Sequence, residues 1–160
     1  MMKRLEFSCS VRSMAAILAL ALGLPLVSDL ASAEETKRQS VVILNPENPT
    51  KSITIRELSQ IFQGQTKFWG FRKPVEFVLP EEDTPEMKLV TEELFQMRSE
   101  KGVKRFYVSA LFQQSIAEMP EVMSVEQAIA MVRADVGGIA IVPRSKARAA
   151  DGVKVIEIRD

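Results

Sequence analysis

The stretch SVVILNPENPTKSITIRELSQIFQG, residues 40–64, sets the architecture. SVVILNP (40–46) is a β-branched, apolar run that closes on turn residues, which is the pattern of a buried strand. NPENPTKS follows as a loop. Thr54 and Glu57 then have capping-box spacing: the Thr hydroxyl can accept from the N3 amide while the Glu side chain reaches back. Ile55, Leu58, Ile61 and Phe62 recur on one helical face. Gly64 falls where a left-handed residue would stop the helix.

Downstream, the same alternation continues. QTKFWGFRKP (65–74) is a loop with an aromatic cluster, Phe68, Trp69 and Phe71. VEFVLP (75–80) reads as the second strand. From Thr84 the pattern is helical, with Pro85 at the N1 position, where its missing N–H costs nothing. Met87, Val90, Leu94 and Met97 keep helical spacing. A third helix uses Val103, Phe106, Tyr107, Ala110 and Leu111. Ser124 and Gln127 form another capping box ahead of Val125, Ala128, Ile129 and Val132. Gly137-Gly138 ends that helix, IAIVP (139–143) is a strand, and VKVIEI (153–158) is the last strand. The order β-α-β-α-α-α-β-β predicts an α/β fold, one mixed sheet flanked by helices.

Upstream, Lys3, Arg4 and Arg12 precede an uncharged run from Ser13 to Ser28, and Ala31-Ser32-Ala33 has the A-x-A form of a cleavage site. This is the layout of a cleaved secretory signal peptide over residues 1–33, leaving a domain over 34–160. The uncharged run is shorter than the ~20 residues of a membrane-spanning helix. Cys9, the only cysteine, lies inside the signal, so the exported domain holds its fold without a disulfide. The chain has no histidine, the commonest general base and metal ligand. Lys+Arg and Asp+Glu balance at 21 each; removing the signal takes three basic and two acidic residues and leaves a net charge of about −1. That balance, with no basic cluster, argues against nucleic acid as a partner.

The chemistry that remains centres on LPEEDTPEMK (79–88), where a strand hands over to a helix. Glu81, Glu82, Asp83 and Glu86 crowd this junction. Acids in a first helical turn stabilise it by ~0.3–1 kcal/mol each, so capping is their ordinary role. Clustered carboxylates could also offer oxygen ligands to a cation, although their spacing matches no known loop, or could face a partner. Trp69 reads as the seal of a core beneath its loop, with an exposed partner-binding aromatic as the rival reading. Lys67, Arg72 and Lys73 read as a solvated rim, with contact to an anionic headgroup or an acidic partner as the rival reading, and Arg144, Lys146 and Arg148 as a solvent-facing turn. Ser109, Ser115 and Ser145 lie in no nucleophile motif. No metal site, cofactor or catalytic residue is assigned.

Several short motifs fall in a telling order: N-P-E-N-P (45–49), I-F-Q-G (61–64), T-K-F-W (66–69), K-P-V (73–75), S-A-L-F (109–112), Pro120-Glu121-Val122 and V-G-G-I-A-I-V (136–142). Together they resemble the type 2 periplasmic binding proteins, specifically the phosphate-binding proteins of ABC transporters and their small single-lobe relatives. The resemblance implies a single lobe of a periplasmic-binding-protein-like fold. It implies a non-enzymatic, periplasmic solute-binding domain, with a small oxyanion as ligand and a membrane transporter or sensor protein as partner. It also places Thr84 at the family's Ser/Thr ligand position. In that family the loop carries an arginine before a Ser-Gly-Thr type turn. Here there is no arginine, and Pro85 removes an amide. The alternative implied is a lobe that has lost its small ligand and serves as a protein-interaction or sensory module, docked on another protein or paired as a homodimer.

Overall fold

The computed structural model describes residues 39–159. The signal peptide expected over 1–33 lies outside them. Strand β1 (Ser40–Leu44) runs through the middle of a four-stranded sheet. It pairs antiparallel with β4 (Gly138–Pro143) on one side, Val42 opposite Ile141, and with β5 (Lys154–Ile156) on the other, Val42 opposite Ile156. The short β3 (Glu76–Phe77) adds parallel to β4 and forms one edge. The sheet is mixed, as expected.

Helices cover both faces. Val42 and Leu44 of β1, with Ile139 and Ile141 of β4, point into a core completed by α1 (Ile55–Phe62) and α3 (Glu100–Phe112). Val41 and Ile43, with Ala140 and Val142, point the other way, onto α4 (Val125–Ala134) and Ala147 of α5 (Arg144–Ala149). A strand enclosed on both faces has no polar positions to spare, which explains the unbroken apolar run VVIL. Each such side chain contributes about 1.5–3 kcal/mol of transfer free energy.

The sequence signals at the helix starts hold. Thr54 and Glu57 make the capping box of α1, and Ser124 and Gln127 that of α4. Gly64 follows α1 with φ +72°, in the left-handed region. The NPENP loop has a structural task. Buried Asn45 donates through Nδ2 to the Val132 and Arg133 carbonyl oxygens, both at 3.0 Å, and Asn48 to Val136 O at 3.1 Å. These bonds satisfy carbonyls at and just beyond the C-terminal end of α4 that the helix itself leaves free.

Four expectations are corrected. The helix predicted from Thr84 to about Met97 is short: α2 (Pro85–Leu89) passes into a π-helical turn, Val90–Leu94, and the chain turns at Gln96, φ 53°. Leu94 O is bound by Ser59 Oγ at 2.6 Å and by Gln63 Nε2 at 3.0 Å, so α1 holds the end of that turn. VEFVLP is strand only at Glu76–Phe77. VKVIEI divides between β5 and β6 (Ile158–Arg159), and β6 pairs parallel with β2 (Ile53–Thr54) in a separate two-stranded sheet. The basic run after Pro143 is a helix, α5, not a turn: buried Ala147 anchors it, Arg144 pairs with Glu157 at 3.1 Å and Lys146 with Glu126 at 3.0 Å. Lys146 and Arg148 face solvent, as expected. No helix among the described residues is long and apolar enough to cross a membrane.

Candidate functional site

The junction LPEEDTPEMK does not bring its acids together. Glu81, Glu82 and Asp83 are exposed, whereas Glu86 is buried, only 5% accessible. Glu86 Oε1 accepts from Ser40 Oγ at 2.9 Å. Glu82 turns outward to a close ion pair with Lys104 of α3, and this hydrogen bond and charge raise the ammonium pKa. Asp83 has φ 58°, a left-handed conformation that Asp tolerates better than most residues, and its N–H donates to Glu100 Oε1 at 3.1 Å. Among the described residues, no group of three or more His, Cys, Asp or Glu side chains could hold a metal ion.

Thr84 is the N-cap of α2. Its Oγ1 accepts from Met87 N at 3.1 Å and donates to Glu81 O at 2.7 Å, so both of its hydrogen-bonding roles are engaged locally. Beneath the loop, Glu81, Thr84 and Glu86 border a cavity of only about 20 Å³, room for about one water. On the outer side, Thr84, Lys88, Arg98 and Ser99 line an open cleft of about 420 Å³ between α2 and the start of α3. The wall of that cleft includes Thr91, whose buried Oγ1 has no hydrogen-bond partner.

Trp69 is buried, 8% accessible, and its Nε1–H donates to Gly137 O at 2.8 Å. The expectation that it seals a core holds. Phe71 stacks on it, centroids 6.3 Å apart, while Phe68 is 62% exposed. The expectation that Gly137-Gly138 stops α4 is corrected: the helix ends at Ala134, and Gly137 instead permits a close approach, since a Cβ there would lie 2.0 Å from Pro74 O. The glycine lets the aromatic loop approach the backbone ahead of β4. Lys67, Arg72 and Lys73 are exposed.

A further cleft, about 450 Å³, runs along the outer edge of β3, with Phe77 and Tyr107 on its walls and Glu76, Glu118, Glu121 and Lys67 around it. Sequence reasoning missed it. It depends on residues 116–121 folding back beside the strand, tied down where Leu79 N–H donates to Glu121 O at 2.8 Å and Met123 N–H to Leu79 O at 2.9 Å. The extended Pro120-Glu121-Val122 was the available signal.

No family model matches the sequence, and no curated protein matches it. Solved structures do. PstS of Borrelia burgdorferi superposes with a TM-score of 0.57 at 13% identity, over 75% of this chain and 47% of that one. A Clostridium perfringens protein assigned as a phosphate ABC transporter substrate-binding protein, solved with bound phosphate, gives 0.55 at 14% identity, over 75% and 44%. A Planctomyces limnophilus protein assigned as phosphate-binding gives 0.54 at 16% identity, over 76% and 42%.

The fold is that of one part of these phosphate-binding proteins.

The chain spans less than half the length of these neighbours. Thr84 stands at the handover from strand-like chain to helix. Its hydroxyl caps its own helix, and the buried Glu86 lies two residues on, in the first turn. Tyr107, on the wall of the β3 cleft, donates to Phe62 O at 2.6 Å, and burial pushes its hydroxyl pKa up, so it stays neutral.

Proposed function

We propose that this chain is an exported, non-enzymatic binding-protein lobe that works by non-covalent recognition in the periplasm. The observation that carries this reading is the fold, shared with substrate-binding proteins of phosphate transporters. The described residues add no histidine and no cysteine to supply a general base or thiolate. A signal peptide over 1–33 accounts for export, and a membrane transporter or sensor protein is the fitting partner.

Between a small oxyanion and a protein as the recognised species, the arrangement around Thr84 favours a protein. An oxyanion site needs free donors aimed at the charge. Here the Thr84 hydroxyl is committed on both sides and Pro85 supplies no N–H; the space under the loop is about 20 Å³, and the outer cleft of about 420 Å³ sets Asp83, Glu92 and Glu100 against Lys88 and Arg98. Exposed Glu81, Glu82 and Asp83 add like charge. The lobe therefore acts as an interaction module on the binding-protein scaffold.

Thermal melting of the chain from residue 34 onward, with millimolar phosphate, sulfate or calcium, tests this. A ligand that binds the native state raises the midpoint by mass action. The protein-partner reading expects no rise with any of the three. A concentration-dependent rise with phosphate would overturn it in favour of the oxyanion.

A further inference from the structure

In the parallel pairing of β3 with β4, Glu76 faces Gly138 and its N–H donates to Gly137 O at 3.1 Å. Parallel ladders alternate, so Glu76 and Val78 direct their backbone groups toward β4. The N–H and C=O of Phe77 then point the other way, out over the edge. On that same outer edge the neighbouring positions are already taken. Val75 N–H donates to Lys67 O at 3.0 Å, and Leu79 N–H to Glu121 O at 2.8 Å. Between those closures lies a gap of about 13 Å, at ~3.3 Å per residue. The 450 Å³ cleft opens onto that gap.

An edge with its donor and acceptor aligned is a template for another extended chain. The closures at Val75 and Leu79 limit the added segment to a few residues. The charges select its chemistry: Glu76, Glu118 and Glu121 border the cleft against one ammonium, Lys67. Phe77, Tyr107 and Met131 supply the apolar wall between them. We propose that this cleft binds a short, extended, basic peptide segment of a partner protein, which pairs with the backbone of Phe77 as an added strand. The proposal rests on the reading of the lobe as a protein-recognition module and names the surface and the chemistry of the partner.

The probe is the blocked peptide acetyl-Lys-Val-Lys-Val-Lys-amide, added to ¹⁵N-labelled chain from residue 34 onward. Binding at the cleft shifts the Phe77 amide resonance and slows its hydrogen exchange. The same peptide with backbone N-methylation loses the effect, because it cannot pair. Glu118→Lys with Glu121→Lys leaves the fold intact, since both side chains are exposed, and weakens binding roughly three- to tenfold. The glutamate counterpart of the peptide binds more weakly than the lysine one. A Phe77 amide that never responds overturns the proposal. So does one already protected in the free chain, where the chain's own N-terminal segment or a second copy fills the edge. Shifts confined to another surface overturn the cleft but leave the protein-recognition reading standing; phosphate-induced shifts at Thr84 overturn that reading, whatever Phe77 does.

Discussion

Ser40 Oγ donates to Glu86 Oε1 at 2.9 Å, joining the first residue of the central strand to the first turn of α2 across 46 positions of chain. Both side chains are buried, 2% and 5% accessible. A buried carboxylate that loses its donor keeps its desolvation penalty. Ser40→Ala should therefore lower the unfolding free energy by about 1–3 kcal/mol in urea titration. Glu86→Gln should cost less than Glu86→Ala, since the amide oxygen can still accept the Ser40 bond.

The α1 capping box gives a pH-dependent prediction. Hydrogen bonds from the Thr54 backbone, and then from its side chain, hold the Glu57 carboxyl below its ordinary 4.5. A depressed folded-state pKa contributes stability above the unfolded value and loses it as pH falls through the folded value. Glu57→Gln should therefore be less stable than the parent near neutral pH, and the difference should close below the folded pKa of Glu57. Thr54→Ala removes the cap itself and should cost about 0.5–2 kcal/mol. Urea midpoints measured across the acid range check both.

Gly137 and Trp69 form a coupled contact. Gly137→Ala would put a methyl group 2.0 Å from Pro74 O, a clash with backbone rather than with a pliable side chain. Overpacking of this kind costs about 1–3 kcal/mol or more. Trp69→Phe removes the 2.8 Å bond to Gly137 O, which keeps its 3.1 Å bond from Glu76 N–H, and should cost about 0.5–1.5 kcal/mol. Trp69 is the single tryptophan, so its emission reports the contact directly and should move to the red in Gly137→Ala.

Neutralising the acids should not create an oxyanion site. In the variant E81Q/E82Q/D83N the Thr84 hydroxyl still caps α2, and the cavity beneath it stays near 20 Å³. The melting midpoint should be indifferent to phosphate in parent and variant alike. A phosphate-dependent rise in the variant alone would mean that charge, not geometry, closes the loop.

What could be read from the sequence was local. Capping boxes at Thr54 and Ser124, the Gly64 stop and the apolar run VVIL depend on neighbours in the chain. The burial of Trp69 was legible because a large aromatic in a small domain is seldom spared from the core. The misses share a different cause. α5 has no N-cap side-chain bond and is basic, and its partners Glu157 and Glu126 lie 13 and 20 residues away. The π-helical turn keeps apolar residues near helical spacing while its closing bond runs from Phe95 N–H to Val90 O, one residue longer than an α-helical bond. At the candidate site, Glu86 read as one of four surface acids because nothing nearby announces Ser40. The β3 cleft escaped for the same reason: its edge is shaped by residues 116–121, which no local pattern ties to Phe77.

The central strand has a bearing on timing. Among the described residues β1 is the earliest strand, yet both of its neighbours, β4 and β5, come after residue 137. Until residue 156 is available, Val41 to Leu44 have only part of their sheet to lie against. Long-range pairings of this kind form late and slowly, because loop closure must precede the contacts that reward it. A chain wired this way leaves synthesis with the middle of its sheet unfinished until the residues of β4 and β5 have been made.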